Sequence, residues 1–570
     1  MTVLIRRLWY SNGALKSKVF TRGAIALIIF GVLCGLAACL APSQGPQEPA
    51  WFSIIPPLLA IVLAFLTRHV LVSLGVAILA GGLLTQVPQA PLSAVAWLEG
   101  FKTTGIHVAR TIGDRGNLEI LVFIPLIFVM IEILIASGGF RGIIVWLLRW
   151  VKGGKSAQLA TALMGVLCFI DDYTSAIIVG SMMQPITDRY RVSRQKLAFL
   201  VDATSAPISG LAVVSTWIAY EVGLLGQVAD KLGIDKSGYS MFFDALSFRF
   251  YCWLMIAFIF SHIIMGRDFG PMKAAEESAK TQDCENSQVP ASGQVGYAVN
   301  ALVPLAGLIL FDVTGLWLDG GGPARLAEGG SLLSLLYWRE VISASEHTRL
   351  ILDGAAMFGL ALALLFSQIF GALRMPVIMS CFRQGAKRAM LPFVILTLAW
   401  SLKNCCDKLE TGEFLTTIVA GRVSPHMFPP ILFLVACLTS FATGTSYGTM
   451  AILLPTGIPV AFALDGNTYG LITMISVGAV LDGAIFGDHC SPISDTTIMS
   501  SVSSSCDLME HVRTQLPYGL LVAGLALLFA YLPSSLGLAP GWSFALAFSA
   551  MLCFLAGLVR RGGRHREAQG

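Results

Sequence analysis

Long apolar segments separated by short polar ones run through almost the whole chain. An α-helix needs about 17 apolar residues or more to cross the hydrocarbon core of a bilayer. Segments of that kind cover residues 23–42, 51–67, 69–86, 117–136, 196–222, 249–266, 297–317, 349–372, 391–420, 469–500, 516–532 and 541–558. This pattern predicts an all-α polytopic membrane protein with about 12 transmembrane helices.

Two further apolar segments, 156–188 and 428–465, are predicted to be re-entrant hairpins. Basic residues, which collect on the cytoplasmic side of spans, flank both ends of the first segment: Arg141, Arg149, Lys152 and Lys155 before it, and Arg189, Arg191, Arg194 and Lys196 after it. Counting crossings puts both ends of the second segment outside and both chain termini in the cytoplasm. Because lipid offers no partners for free backbone groups, re-entrant hairpins imply a protein-lined cavity.

Composition supports a membrane location. Of the 570 residues, 55% are hydrophobic and only 13% are charged, and the mean hydropathy is +0.74. These values exclude a soluble globular domain and make nucleic acid an implausible partner. The scattered cysteines indicate neither a disulfide framework nor a zinc site. Residues 23–41 follow a basic stretch and resemble a cleaved signal, but we expect an uncleaved first span.

The two halves of the chain resemble each other at the places that this topology selects. The run from Asp202 to Ser209 aligns with the run from Asp488 to Ser494, and each contains an Asp, small hydroxyl residues and then Pro-Ile-Ser. The predicted hairpin tips at 169–175 and 441–447 also correspond. Hairpins that open to opposite sides are typical of inverted-topology repeats, whose broken helices meet around substrate and ion. We divide the chain into a cytoplasmic N-terminus with the first span (1–50), a first repeat (51–266), a cytoplasmic loop (267–295), a second repeat (296–535) and a last span with a basic cytoplasmic tail (536–570).

Carboxylates and hydroxyls cluster at the hairpin tips and in the stretch 486–501. Acidic side chains at membrane depth cost about 2.5–3.5 kcal/mol each, so they are retained mainly where they face an ion or a water-filled path. Na⁺ prefers oxygen ligands, including the carbonyls that a helix break exposes at Pro207 and Pro492. The candidate ion or proton ligands are Asp171, Asp172, Thr174, Ser175, Asp202, Thr204, Ser205, Thr443, Thr445, Ser446, Asp488, Ser491, Ser494, Asp495 and Thr496. We predict Na⁺ at Asp172, Asp488 and Asp495, and a proton at the same carboxylates when the ion is absent.

Structural explanations remain open for several of these residues. Asp171 and Asp172 would also suit a loop tip outside the hydrocarbon, and Asp202 would suit an interfacial pair with Arg194 or Lys196. Glu132 is either a proton site or a partner of Lys403, and His489 is either a proton carrier or a donor to a backbone carbonyl. The acidic and basic residues between 403 and 413 predict another broken helix in the span 391–420.

The stretch from Gly487 to Thr497 resembles the signature of the NhaC-type Na⁺/H⁺ antiporter family, and 169–174 with 202–207 resemble its first-half counterparts. The resemblance, which runs from about residue 50 to 535, implies a secondary antiporter of the cytoplasmic membrane that moves Na⁺ against H⁺. Similar proteins exchange carboxylates such as malate and lactate, so a small carboxylate stays open as the second substrate. We expect no cofactor and no enzymatic activity, and we leave a homodimer open.

The sequence favours antiport over an ATP-driven pump, an intramembrane hydrolase and a passive channel. No Walker-type phosphate loop occurs in the sequence, which points to an ion gradient as the energy source. An intramembrane zinc hydrolase would use His489, Asp488 and Asp495, but catalytic zinc sites are usually richer in His. A passive channel would not require two oppositely oriented halves. The polar loop 268–295 is expected to be flexible.

Overall fold

The computed structural model describes residues 51–281, 297–411, 414 and 423–567, except for residues 68, 91, 333, 371, 372 and 493. Within these ranges the chain is built from helices and contains no strand. The predicted first span at 23–42 and the second part of the loop 268–295 lie outside the described residues. The all-α fold class is confirmed.

The first half of the described chain contains twelve α-helices: α1 (Ile55–Thr67), α2 (Val70–Leu84), α3 (Ala94–Gly113), α4 (Arg115–Ala136), α5 (Gly139–Leu148), α6 (Gly154–Leu167), α7 (Asp172–Arg189), α8 (Arg194–Ser209), α9 (Thr216–Leu232), α10 (Gly238–Ala245), α11 (Phe250–Met265) and α12 (Gly270–Thr281).

The second half of the described chain contains α13 (Val299–Asp319), α14 (Gly322–Ala327), α15 (Leu335–Ala344), α16 (Thr348–Ile369), α17 (Met375–Lys408), α18 (Phe428–Thr443), α19 (Ser446–Leu464), α20 (Leu471–Cys490), α21 (Asp495–Ser503), α22 (Leu508–Ala526), α23 (Leu532–Ser535) and α24 (Pro540–Glu567). A π-helical turn, Leu527–Tyr531, joins α22 to α23.

Among the described residues, nine helices are long and apolar enough to cross a membrane, or ten if the pair Gly238–Phe248 and Phe250–Met265, bent by 49°, is one span. The predicted spans 51–67 and 69–86 are the shorter helices α1 and α2. The total of about 12 spans therefore stays a prediction. Both predicted hairpins exist as helix, break and helix, but their re-entrant course and the inverted repeats also stay predictions.

Several details of the sequence interpretation need correction. The segment 196–222 consists of two helices, α8 and α9, because the chain leaves the helical path after Ser209. Helix α17 continues through Lys403 and Asp407, whose side chains pair at 3.2 Å, and ends at Lys408. The break predicted between 403 and 413 therefore falls after Lys408, where Glu410 has a φ of 56°. Helix α12 occupies the first part of the loop predicted at 268–295, and helices α3, α14 and α15 lie between the predicted spans.

The chain forms two compact units. The first contains the residues up to Gly113 together with Thr397–Arg422, and its core packs α1 and α2 around Leu59, Leu63 and Leu83. Within this unit the Thr411 hydroxyl donates a 2.7 Å hydrogen bond to the Ser53 carbonyl. The second unit contains Asp114–Leu396 and Val423–Gly570 and carries every predicted site residue.

Helices α18 and α20 approach each other so closely in the second unit that only glycine fits at 487. A Cβ atom at Gly487 would lie 2.4 Å from both the Phe441 nitrogen and the Ser440 Cβ atom. The contact also holds hydrogen bonds: the Ser440 hydroxyl donates to the Ala484 carbonyl at 2.6 Å, and the Ser491 hydroxyl donates to the Phe441 carbonyl at 2.7 Å.

Gly487→Ala should therefore destabilise the protein by about 1–3 kcal/mol, the usual penalty for overpacking. Thermal unfolding of the purified protein measures this loss. The control is Gly524→Ala on α22, where a Cβ atom meets nothing within 4 Å and stability should rise by about 0.5–1 kcal/mol. Equal melting temperatures for Gly487→Ala and the wild type would contradict the close packing.

A buried ion pair holds the beginning of α8. The Lys196 side chain is fully buried and pairs with Asp268, which follows α11 and also accepts a 2.6 Å hydrogen bond from the Tyr518 hydroxyl. Burial would raise the pKa of Asp268, but the adjacent Lys196 ammonium holds that pKa below its ordinary value. The pair therefore stabilises the fold above the unfolded-state pKa of Asp, and the stabilisation is lost as pH falls through the folded-state pKa.

Asp268→Asn should lower the free energy of unfolding at neutral pH by about 3–5 kcal/mol, because Lys196 would be left buried and unpaired. Glu277→Gln, which removes the exposed pair of Glu277 with Lys273, is the control and should change stability by less than about 1 kcal/mol. Thermal unfolding at several pH values gives both numbers. A variant as stable as the control would contradict a buried pair at this position.

Candidate functional site

Two helix breaks with the same construction frame the site. Between α6 and α7 the Asp171 carboxylate caps α7, accepting hydrogen bonds from the Thr174 nitrogen at 2.9 Å and the Thr174 hydroxyl at 2.5 Å. Between α18 and α19 the Thr445 hydroxyl caps α19 by accepting from the Gly448 nitrogen at 3.3 Å. Gly444 allows that turn because its φ of 68° lies in the left-handed region. The predicted hairpin tips are thus confirmed as helix breaks.

A third break separates α20 from α21 at Ser491–Ser494, where Pro492 was predicted to interrupt the helix. Asp488, in the last turn of α20, reaches across to two of these breaks. Its Oδ2 atom accepts a 2.8 Å hydrogen bond from the Ser446 hydroxyl, and its Oδ1 atom accepts one from the Ser494 hydroxyl. Ser494 in turn lies 2.9 Å from the Thr496 hydroxyl. Asp488 therefore joins the second hairpin to the break after α20.

Asp172 is a buried carboxylate of this group with one oxygen that accepts no hydrogen bond. It is buried, its Oδ1 atom has no hydrogen-bond partner, and it interacts electrostatically with Asp171 and Asp488. Tyr173 interacts electrostatically with Asp172 and Asp488, and its side chain hydrogen bonds to Asp495. Asp495 itself is exposed at the start of α21. Asp171, Asp172 and Asp488 are buried, which rules out a hairpin tip in bulk solvent.

These four aspartates lack a basic partner among the described residues: none of Asp171, Asp172, Asp488 and Asp495 takes part in an ion pair there. Neighbouring carboxylates repel one another, so a cation or a proton bound between Asp172 and Asp488 would relieve the repulsion. Hydroxyls of Ser446 and Ser494 supply further oxygens. The site is thus chemically suited to a small hard cation and to a proton.

Asp202 belongs to a neighbouring polar group on α8, α20 and α22. Its Oδ2 atom accepts a 2.8 Å hydrogen bond from the Gln515 amide and lies 3.2 Å from the His511 Nε2 atom. The same amide also donates to the His489 carbonyl, and the His489 Nδ1 atom lies 2.8 Å from the Tyr251 hydroxyl. The alternative pair of Asp202 with Arg194 or Lys196 is wrong, since these bind Asp188 and Asp268.

Other predicted ligands are buried but bond to their own backbone. Thr204 donates to the Leu200 carbonyl at 2.7 Å, Ser205 to the Asp202 carbonyl at 2.8 Å, and Thr443 to the Ser440 carbonyl at 3.4 Å. Ser491 is committed to α18, and the Ser175 hydroxyl has no partner. The structure therefore brings these residues close to the breaks without directing them at Asp488 or Asp172.

Glu132 on α4 pairs with Arg388 on α17 at 3.0 Å, and not with Lys403. The Arg388 Nη1 atom also lies 3.5 Å from the Thr174 hydroxyl, which links this pair to the cap of α7. Sequence reasoning missed Arg388, His511 and Gln515. His511 and Gln515 stand four residues apart on one face of α22, and that spacing of polar residues was the available signal.

A model of the Na⁺/H⁺ antiporter family matches residues 210–532, which is more than half of the chain and includes Asp488 and its surroundings. The chain belongs to the Na⁺/H⁺ antiporter family. Membership makes it a multi-pass membrane transporter, as the apolar helices also indicate.

Several proteins are similar in sequence to this antiporter-family chain. An uncharacterized protein of Haemophilus influenzae is 33% identical over 475 residues, covering 83% of this chain and 88% of that protein. The Na⁺/H⁺ antiporter NhaC of Alkalihalophilus pseudofirmus is 32% identical over 129 residues, 23% of this chain and 27% of its own. The malate-2H⁺/Na⁺-lactate antiporter of Bacillus subtilis is 35% identical over 120 residues, 19% of this chain and 25% of its own. The predicted resemblance to NhaC-type antiporters is confirmed.

Two solved transporter structures share the fold of this antiporter-family chain. The YdaH transporter of Alcanivorax borkumensis superposes with a TM-score of 0.53 at 14% identity, covering 79% of this chain and 91% of that one. MtrF of Neisseria gonorrhoeae gives a TM-score of 0.52 at 12% identity, covering 90% and 96%. At these identities the likeness concerns the fold alone.

Across the described ranges, no group of three or more His, Cys, Asp and Glu side chains is placed to hold a metal ion. A Na⁺ ion at Asp172, Asp488 and Asp495 would thus need hydroxyl and carbonyl oxygens in its shell, which Ser446, Ser494 and the helix breaks provide. The Na⁺ position stays a prediction.

Proposed function

We propose that this antiporter-family protein exchanges Na⁺ for H⁺ across the cytoplasmic membrane, with both termini in the cytoplasm. The observation that carries the proposal is Asp488, a buried carboxylate held by Ser446 and Ser494, next to Asp172 with its unpartnered oxygen. Na⁺ and H⁺ each neutralise these carboxylates, so binding one disfavours the other. Competition for one site is sufficient for antiport.

The helix breaks add to the affinity for a cation. Ser446 and Ser494 each turn a hydroxyl donor to Asp488, and each oxygen has further lone pairs for a bound ion. The Thr497 hydroxyl donates to the Asp488 carbonyl at 3.1 Å, which fixes the last turn of α20 beside the break. Asp488 is thus presented on a rigid helix end rather than on a loose loop.

Transport by the purified full-length protein in vesicles tests the proposal. We expect an imposed Na⁺ gradient to drive proton movement, reported by a pH-sensitive dye, and an equal gradient of choline to drive none. If Na⁺ moves protons only when malate or lactate is present, the protein exchanges a carboxylate instead. No proton movement under either condition would refute both forms of the proposal.

A further inference from the structure

A second group of buried charges contains none of the hairpin-tip residues. Arg249, which precedes α11, Glu221 on α9 and Asp482 on α20 all have fully buried side chains. The Arg249 Nε atom binds the Asp482 Oδ1 atom at 2.8 Å, and the Arg249 Nη1 atom lies 3.6 Å from the Glu221 Oε1 atom. None of these residues was singled out from the sequence, because they come from three distant parts of the chain.

The two carboxylates of this group are held very differently. Asp482 accepts three hydrogen bonds: from Arg249, from the Tyr251 nitrogen at 2.6 Å and from the Tyr531 hydroxyl at 2.7 Å. Neither oxygen of Glu221 has a hydrogen-bond partner, and neither has the Arg249 Nη1 atom. Three donors satisfy the oxygens of Asp482, whereas the Glu221 carboxylate has no donor within hydrogen-bond distance and only the longer contact with Arg249.

The charge balance of this group indicates that Glu221 is the residue whose protonation state changes. With both carboxylates ionised, one Arg and two acids leave one net negative charge in a fully buried place, which is costly. The groups that interact electrostatically with Glu221 are Arg249 and Asp482. Ionisable residues on the helices packed against α9 have other side-chain partners: Asp244 with Lys236, Tyr239 with Asp312, Glu119 with Arg115, Glu132 with Arg388, and Tyr447 with Thr216.

The surroundings connect Glu221 to the candidate ion site. Tyr531, the third partner of Asp482, is presented by the π-helical turn Leu527–Tyr531, and such turns occur frequently at functional positions. Asp482 and Asp488 lie six residues apart on α20, about 9 Å along the helix. A change in the ion pair between Arg249 and Asp482 therefore affects α20, the helix that also contains Asp488.

We propose that Glu221 is a proton-binding site, separate from the ion site at Asp488. When Glu221 is protonated, Arg249 pairs with Asp482 only, and this pairing sets the position of α20. Deprotonated Glu221 competes with Asp482 for Arg249, and protonated Glu221 does not. The effect on exchange rests on the proposed function, whereas proton binding by Glu221 does not depend on it.

Thermal unfolding of the purified protein tests proton binding without any transport. Glu221→Gln imitates the protonated side chain, so its melting temperature should equal that of the wild type at low pH. As pH rises, the wild type acquires the buried negative charge and should become less stable than the variant. Glu277→Gln, which neutralises the exposed Glu277 on α12, is the control and should follow the wild-type pH profile. Identical pH profiles for Glu221→Gln and the wild type would overturn the proposal.

Exchange assays in vesicles test the consequence for transport. Glu221→Gln should exchange at the wild-type rate at low pH and differ from it by at least about fivefold at high pH, the lower end of usual couplings between sites. If the wild type exchanges no Na⁺ for H⁺, the proposed function fails while the unfolding result still stands. A Glu221→Gln rate that follows the wild type at every pH would overturn the link to α20. Should Glu221→Gln aggregate, Glu221→Met provides a second neutral side chain of similar length for both measurements.

Discussion

Asp488→Asn should reduce Na⁺-driven proton movement by more than about 100-fold while the protein still folds. A carboxylate oxygen about 2.4 Å from Na⁺ contributes about 7 kcal/mol of Coulomb attraction at an effective dielectric constant of 20. Loss of even half of that attraction exceeds two decades in affinity. Asn keeps the shape and can still accept from the Ser446 or Ser494 hydroxyl, so the stability of α20 should change little.

Vesicle transport and thermal unfolding should be measured together on this variant. Asp312→Asn removes a different buried carboxylate, on α13, and should leave exchange close to that of the wild type, because the hydrogen-bond partner of Asp312 is Tyr239 and not a residue of the ion site. Wild-type exchange by Asp488→Asn would remove Asp488 from the ion site. A collapse of both stability and exchange in Asp488→Asn would assign it a structural role.

Asp172→Asn is expected to cause a loss of similar size, also above about 100-fold, because the same Coulomb argument applies to its unpartnered oxygen. The melting temperature should not fall, since removing one of several neighbouring carboxylates relieves repulsion. The exchange rate of this variant and its melting temperature, both in Na⁺-free and Na⁺-containing buffer, check the prediction. Na⁺ should stabilise the wild type and not the variant.

Its neighbour Asp171 provides the comparison. Asp171 caps α7 and also accepts a 3.2 Å hydrogen bond from the Thr216 hydroxyl, so Asp171→Ala should lower the free energy of unfolding by about 0.5–2 kcal/mol. Adjacent acids would then show opposite effects on stability. If Asp172→Asn destabilised the protein as much as Asp171→Ala, Asp172 would be a structural residue and not an ion ligand.

Local chemistry explains what the sequence could predict. The helix breaks at the second hairpin tip and after α20 follow from short stretches of sequence, because the conformational preferences of Gly444, Thr445 and Pro492 are local. The burial of Asp488 follows from its continuation of an apolar segment. The charged residues between 403 and 413 indicated a helix break without fixing its position, because an i,i+4 pair such as Lys403 with Asp407 is as compatible with a continuous helix as with a break.

Long-range partners could not be predicted in the same way. Arg388 reaches Glu132 across 256 positions of sequence, and Arg249 reaches Asp482 across 233. Local periodicity contains no information about which helices pack together. The choice between Lys403 and Arg388 for Glu132, and between Lys196 and His511 for Asp202, is made by packing that only the folded chain defines.

The central claim is that Na⁺ and H⁺ alternate on the buried carboxylates around Asp488. The most direct test is to add Na⁺ to the purified full-length protein in weakly buffered detergent solution and to count the protons released. We predict release by the wild type, none on addition of choline, and none from Asp488→Asn on addition of Na⁺. Binding of Na⁺ by the wild type without proton release at any pH, or full release by Asp488→Asn, would contradict the account.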